Sequence, residues 1–342
     1  MSNDLPLVCI CIPTYNAAVT IRETLESILA QSYTNLVIHV SDNASTDDTL
    51  KIVESVADAR VRIHRQEKNI GAERNFENCI RLVEGKYTAI FHSDDIYEPD
   101  MVAKQVAFLE ANPEAGAVFT AATTIDDQGK PLGVIGRPID GEQEACIYKF
   151  TELIKVVLER SNFLICPSAM VRTPIYQQEI VNWRGDLFGS SADLDVWLRI
   201  ASKHSIAILN EPLMRYRISK TQWSNSVRLS TERSDRLIVM QHYLAQPEVK
   251  AVLTSADWRH YRELEINDQV WRAINLFTTG QVAAAKSMLR GVFNRDMMHA
   301  TFVSRRGLLT LLAAASLSLL IALGMKKLGQ AIIWRLRKIS NK

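Results

Sequence analysis

Four short apolar runs, each closed by polar residues and separated by helical stripes, constrain the first hundred residues more than any other feature. Leu7 to Ile12 is continuously apolar without helical spacing and stops at Pro13, as a strand buried on both faces does. Ala18 to Ala30 follows with a helical stripe at Val19, Ile21, Leu25, Ile28 and Leu29. Leu36 to Val40 is a second strand. The capping residues from Ser45 to Asp48 then open a helix through Leu50, Ile52, Val53 and Val56. Val61 to His64, Gly71 to Val83 and Tyr87 to Phe91 repeat the alternation as strand, helix and strand. Strands and helices at this spacing require right-handed crossovers, which predicts the α/β class: a doubly wound, mostly parallel sheet with helices on both faces.

In such a sheet the carboxyl ends of the strands open onto one edge, where ligands bind. Each end here is polar: Thr14-Tyr15-Asn16, Asp42-Asn43, Asn69 with Arg74, and Asp94-Asp95. The last pair lies in Phe91-His92-Ser93-Asp94-Asp95 and has two uses. Adjacent carboxylates offer oxygen ligands to Mg²⁺ or Mn²⁺, and they also form Asx turns that cap a helix such as the one starting near Pro99. Four polar clusters converging on one edge favour a site over four unrelated turns.

The chain of 342 residues suffices for one large or two modest domains, and 47% hydrophobic with 23% charged residues is globular composition. Its net charge of +2 conceals an asymmetry. Eight Lys or Arg and no acidic residue lie from Arg305 onward, leaving 32 basic against 38 acidic residues before it. An acidic body argues against nucleic acid as a partner, and a basic tail suits an anionic surface. Five scattered cysteines (9, 11, 79, 146 and 166) lack metal or disulfide spacing and read as free thiols in a reducing compartment. Met1 to Leu7 shows no signal-peptide pattern.

The motifs PTYN at 13–16, SDNASTDDT at 41–49, NIGAERN at 69–75 and FHSDDIYEPD at 91–100 together resemble the nucleotide-sugar-binding half of the family 2 glycosyltransferases, which have the GT-A fold. The resemblance covers about residues 5–226, with 5–115 as the nucleotide-sugar side and 116–226 as the acceptor side. It implies a nucleotide-sugar donor held by Pro13, Thr14, Tyr15, Asn16, Asp42, Asn43, Arg74, Asp94 and Arg217. Tyr15 would stack on a base, Asp42 would accept from a ring NH or a ribose hydroxyl, and Asp95, helped by Asp94, would hold Mn²⁺ or Mg²⁺. His92 stands where the family often has a further Asp, which removes one carboxylate.

Further along, Val118 to Ala122 reads as a strand and 126–131 as a hairpin turn. Phe150 to Arg160 reads as an amphipathic helix, and 162–172 as loop then strand. SSADLDVWLRIA at 190–201 places Asp193 near a helix N-terminus, where a carboxylate also serves as a cap. The stretch is similar to the family's Glu-Asp-x-x-x-Trp segment, which implies Asp193 as the catalytic base, with Ala192 in the place of Glu. Asp195 is the fallback, and Trp197 reads as core. Arg215 and Arg217 alternate, so both can face a diphosphate, and Ser219 occupies a position where the family often has His. Lys220, Gln222 and Trp223 suit a loop closing on the donor.

Residues 231–300 read as a helical appendage with an antiparallel pair broken at Thr279-Gly280. The 305–342 region contains Leu308 to Met325, 18 uncharged residues between Arg305-Arg306 and Lys326-Lys327, and then an amphipathic basic helix with Trp334. It reads as a membrane-associating tail, spanning or in-plane. The expected function is an inverting transfer from a nucleotide-diphosphate sugar, UDP-sugar being favoured, to a saccharide or lipid-linked saccharide in surface polysaccharide synthesis. Its place would be the cytoplasmic face of the cell membrane. A non-catalytic membrane-bound partner with a nucleotide-sugar pocket is the alternative; a nucleotidyltransferase is disfavoured by the lack of a Gly-rich phosphate loop followed by Arg or Lys.

Overall fold

A computed structural model describes residues 5–137, 143–219, 227–295 and 304–340. Lys220, Gln222 and Trp223 lie outside the described residues. The chain forms two compact units, one of Met1–Ile154 with Asn162–Lys220 and the other of Lys155–Ser161 with Thr221–Lys342.

The first unit begins with β1 (Val8–Thr14), α1 (Ile21–Leu29), β2 (Leu36–Asp42), α2 (Thr49–Val56), β3 (Val61–Arg65), α3 (Ala72–Arg81) and β4 (Tyr87–Ile90). Every residue of β1 is buried except the half-buried Pro13, and β2 and β4 are buried throughout, which is what their unbroken apolar runs require. Val19, read as part of the first helical stripe, is 95% exposed, because α1 starts only after Thr20 and turns Ile21, Leu25 and Ile28 inward. The return into β4 passes through Gly85 at φ +75°, where an added Cβ would come within 2.5 Å of the Leu7 carbonyl oxygen. That carbonyl accepts from Lys86 N–H at 2.9 Å and sets Val8 opposite Tyr87.

The chain continues through β5 (Ile96–Tyr97), α4 (Met101–Ala111), β6 (Ala115–Ile125), β7 (Pro131–Ile135), β8 (Ala145–Tyr148) and α5 (Phe150–Arg160). It then forms β9 (Met170–Arg172), α6 (Thr173–Gln178), α7 (Gly185–Phe188), α8 (Ala192–Ala201) and β10 (Ser205–Arg217). Strand order in the sheet is β3-β2-β1-β4-β9-β6-β10-β5, with β7 beside β6 and β8 beside β10.

The expected mostly parallel sheet is a mixed one. β1, β2, β3 and β4 pair in parallel, as do β6 and β10. β9 runs antiparallel between β4 and β6, and β5, β7 and β8 are antiparallel as well. The regular parallel succession of strand and crossover helix ends at β4. Beyond it the Asp126–Lys130 turn makes β6 and β7 an antiparallel hairpin, since a short connection can join only antiparallel neighbours, while β5, β8 and β9 pair antiparallel with strands distant in sequence.

In the second unit the helices after residue 227 are α9 (Asp235–Leu244), α10 (Pro247–Val252), α11 (Ser255–Thr278), α12 (Val282–Arg290), α13 (Arg305–Ala322) and α14 (Lys326–Ser340). Thr254 and Asp257 form a reciprocal capping box on α11. Ile266, Val270, Ile274 and Phe277 from α11 share one core with Ala285 and Leu289 from α12 and Ala314 and Leu317 from α13. The segment read as a separate tail thus packs on the helical appendage.

Candidate functional site

Parallel register brings the first two polar strand ends together. Thr14 lies opposite Asp42 on the β1–β2 ladder, and Asn43 N–H donates to Thr14 O at 2.8 Å. Asp42 is fully buried. Its Oδ2 accepts from Ser45 N–H at 3.0 Å, while Oδ1 is buried with no partner among the described residues. A carboxylate oxygen in that state is an acceptor held ready for a donor group.

The neighbouring asparagines shape the edge. Asn43 donates to Asn69 Oδ1 at 3.1 Å and to Gly71 O at 3.2 Å and accepts from Ile70 N–H at 2.8 Å, which pins the loop leading to Arg74. Asn16 adopts φ +48° and accepts from Thr46 N–H at 2.8 Å. Thr14 turns its hydroxyl onto Ile12 O at 3.2 Å, and Pro13 is half-buried beside it. Tyr15 is 47% exposed, and Arg74 in the first turn of α3 is also open to solvent.

The acidic stretch leaves β4 and crosses the same edge, and a polar stripe along α1 and its flanking residues clamps it. Thr20 donates to Ser93 O at 2.9 Å, Thr24 to Asp95 O at 2.8 Å, and Gln31 to Glu98 O at 2.7 Å, while Ser27 accepts from Tyr97 N–H at 3.1 Å. These residues stand four, three and four apart, the spacing of one helix face. From the other side Arg217, only 5% exposed, donates its backbone N–H to Asp95 Oδ1 at 2.9 Å and Nε–H to Asp94 O at 2.9 Å. Its guanidinium also reaches Asp126 O, Asp127 O and Glu23 Oε2. Arg217 therefore holds the acidic loop. Arg215, two residues earlier, pairs with Glu98 at 2.8 Å.

His92, Asp94 and Asp95 each offer a ligand atom within 4.8 Å of the others. Asp95 Oδ2 and His92 Nε2 are buried without partners among the described residues. Burial, reinforced by the negative charge of Asp94, pushes the Asp95 carboxyl well above the ordinary carboxylate range, against the opposing pull of Arg217. Burial likewise lowers the basicity of His92, with Asp94 opposing. Two carboxylates and an imidazole with unpartnered atoms fit a divalent cation, and the imidazole suits Mn²⁺ better than Mg²⁺. Sequence reading treated His92 as a carboxylate lost; the fold keeps it in the cluster.

Asp193 is the second residue of α8, where Leu194 N–H donates to its Oδ1 at 2.8 Å. Burial raises its pKa from 3.8 to about 6, more than this hydrogen bond lowers it. The like charge of a preceding Glu, absent at Ala192, is not needed for that shift. Asp195 is wholly buried and bonded to Arg199 Nε at 2.8 Å, with Arg184 at 3.6 Å, so it serves the core of this segment. Trp197 is 1% exposed and meets Phe119 edge-on at 4.9 Å.

The Cys166 thiol is pushed well above the ordinary range first by burial and then by the charges of Asp193 and Asp95. Neither Cys166 nor the α1 stripe was read as functional from sequence. A Thr-x-x-x-Thr-x-x-Ser-x-x-x-Gln spacing on the polar side of α1 was the available signal for the stripe.

The family model described as glycosyl transferase family 2 matches residues 9–178. An uncharacterized glycosyltransferase of Methanocaldococcus jannaschii is 29% identical over 225 residues, 63% of this chain and 72% of the relative. A putative teichuronic acid biosynthesis glycosyltransferase, TuaG of Bacillus subtilis, is 28% identical over 232 residues, 65% of this chain and 85% of the relative. Among solved structures, S. aureus TarS in complex with UDP-GlcNAc has a similar fold, with TM-score 0.60 and 17% identity over 94% of this chain and 92% of that one. The mannosyltransferase PcManGT of Pyrobaculum calidifontis, solved with GDP-Man and Mn²⁺, has TM-score 0.52 and 19% identity over 93% and 88% of the two chains.

Proposed function

Because the chain belongs to glycosyl transferase family 2, we propose that it transfers a sugar, with inversion, from a nucleotide-diphosphate sugar to a saccharide or lipid-linked saccharide in surface polysaccharide synthesis. The observation that carries the reading is the shared strand edge: His92, Asp94 and Asp95 offer ligand atoms within 4.8 Å of one another, and Asp42 keeps a buried oxygen without a partner among the described residues, while burial raises the Asp193 carboxyl to about 6. A group poised near neutral pH accepts a proton from a hydroxyl far better than an ordinary aspartate does.

The acceptor oxygen attacks the anomeric carbon, and Asp193 takes its proton. The bond from that carbon to the diphosphate oxygen breaks, and the nucleoside diphosphate leaves with the electron pair. A single displacement inverts the centre and needs no protein nucleophile. Asp95 and Asp94, with His92 beside them, would hold Mn²⁺ or Mg²⁺, and the chemistry such an ion supplies when bound is charge neutralisation on the diphosphate. Asp42 Oδ1 would accept from the base or ribose, and exposed Tyr15 would stack on the base, with UDP the favoured nucleotide. Pro13, Thr14, Asn16 and Asn43 shape that edge, exposed Arg74 would meet the nucleotide, and Arg217 supports the donor site through Asp94 and Asp95. TuaG's description and the nucleotide sugars in the TarS and PcManGT structures support this reading.

Attachment to the cytoplasmic face of the membrane through α13 and α14 belongs to the same proposal. Arg305–Ala322 is an 18-residue helix of membrane-like composition, at mean hydropathy 1.5. A thermal-shift screen of UDP- and GDP-sugars with Mn²⁺, followed by turnover of those that bind, tests the enzymatic reading. Turnover of a stabilising donor supports it; tight binding without turnover of any donor or acceptor would favour a non-catalytic partner.

A further inference from the structure

We propose that α13 and α14 lie in the plane of an anionic bilayer and do not cross it, a conclusion that rests on the membrane attachment proposed above. The uncharged helix ends early. Gly307 to Ala322 is helical, but Gly324 at φ +66° closes it before α14 begins at Lys326. Sixteen residues rise about 24 Å, short of the roughly 30 Å hydrocarbon core.

One face of α13 is already taken by protein. Gly307, Thr310, Ala314 and Leu317 are buried, and Asn267 on α11 donates to Thr310 Oγ1 at 2.8 Å. Glu263 on α11 accepts from Ser304, the α13 N-cap. Next to these on α11 stand Arg262, Glu265, Asp268 and Arg272, which a spanning α13 would carry into hydrocarbon, where ionised groups are costly.

The opposite face is apolar and open. Leu308, Leu312, Leu319 and Leu323 recur four, seven and four apart and are 45–62% exposed. On α14, Leu328, Ile332 and Leu336 are 42–60% exposed at the same helical spacing. A soluble helix pair would put polar residues at these positions. Eight Lys or Arg and no acidic residue from Arg305 onward commit the partner to anionic lipid, since leucine stripes insert at the headgroup boundary while the basic residues meet the phosphates.

Full-length protein carrying Leu308→Cys, Ala315→Cys or Leu323→Cys, labelled with a fluorophore and bound to phosphatidylcholine–phosphatidylglycerol vesicles, reports depth through nitroxide-lipid quenching. In-plane seating gives three similar shallow depths; a much deeper position 315 means a span and overturns the proposal. Leu312→Glu with Leu319→Glu should weaken vesicle flotation roughly tenfold or more, and phosphatidylcholine alone should bind less than the anionic mixture. No flotation on either vesicle, with dimer by light scattering, would assign the face to a second copy. Donor-induced thermal shift in each variant separates failure of this seating from failure of the transferase reading.

Discussion

Replacing Asp193 by Asn should abolish most transfer while making the protein more stable, a combination that a structural aspartate would not give. The raised pKa means that the folded state holds the proton more tightly than the unfolded chain does. Between pH 3.8 and about 6 the native carboxyl is protonated and the unfolded one is not, so stability falls as pH rises through that window and the cost is complete above it. A shift of roughly two units corresponds to about 3 kcal/mol, and solvent reaching the half-buried side chain reduces this to about 1–2 kcal/mol. Asn carries no charge to desolvate, so the variant should exceed wild type by that amount at pH 7.5, with the difference gone near pH 4. Urea denaturation at the two pH values measures it.

The same pKa sets the rate profile. With a base near 6 the ionised fraction falls roughly tenfold between pH 7 and pH 5, whereas a carboxyl at 3.8 stays more than nine-tenths ionised. Log kcat/KM should bend to unit slope below about pH 6, and Asp193→Asn should lower kcat by about 10²–10⁴. A flat profile down to pH 5, or a variant that keeps a tenth of wild-type turnover, would refute Asp193 as the base. Loss of stability at pH 7.5 would refute the electrostatic account.

Three further outcomes follow from the clamp and the unpartnered atoms. Thr24→Val keeps the shape but leaves the buried Asp95 carbonyl without its donor, which should cost about 1–2 kcal/mol in urea titration and weaken donor-induced thermal shift. Asp42→Asn can still accept from Ser45 through its amide oxygen but turns an NH₂ toward the unpartnered position. Calorimetry should show UDP binding reduced roughly tenfold with little change in stability; unaltered affinity would remove Asp42 from the nucleotide site. His92→Asp replaces the imidazole by oxygen, so the preference for Mn²⁺ over Mg²⁺, read by thermal shift with UDP, should shrink. An unchanged ratio would place His92 outside the cation's reach.

The first four strands, their helices and the edge they share were legible in the sequence, because buried parallel strands are continuous apolar runs and crossover helices carry a 3.6-residue stripe. Both are local patterns. The register of Thr14 against Asp42, by contrast, follows from pairing.

Past β4 local pattern had less to say. β9 is three residues long, and its antiparallel place between β4 and β6 comes from sheet pairing that no periodicity encodes. Arg217 read as a phosphate contact because Arg-x-Arg alternation looks alike whether the side chain meets ligand or carbonyls; only the fold brings it to a loop over a hundred residues away. For the same reason a lone His92 in an acidic motif read as one carboxylate lost.

Sequence alone determined which chemical groups stand at the polar strand ends and in the motifs: Tyr15, Asp42, Asp94, Asp95 and Asp193 are fixed by type and position. What those groups can do was decided by tertiary structure, because protonation and free valence depend on surroundings. Burial raises the Asp193 carboxyl to about 6, leaves one oxygen of Asp42 and one of Asp95 without partners among the described residues, and divides the tail helix into a packed face and an open one. Each of these is a property of solvent exclusion by distant segments, which a linear pattern does not carry.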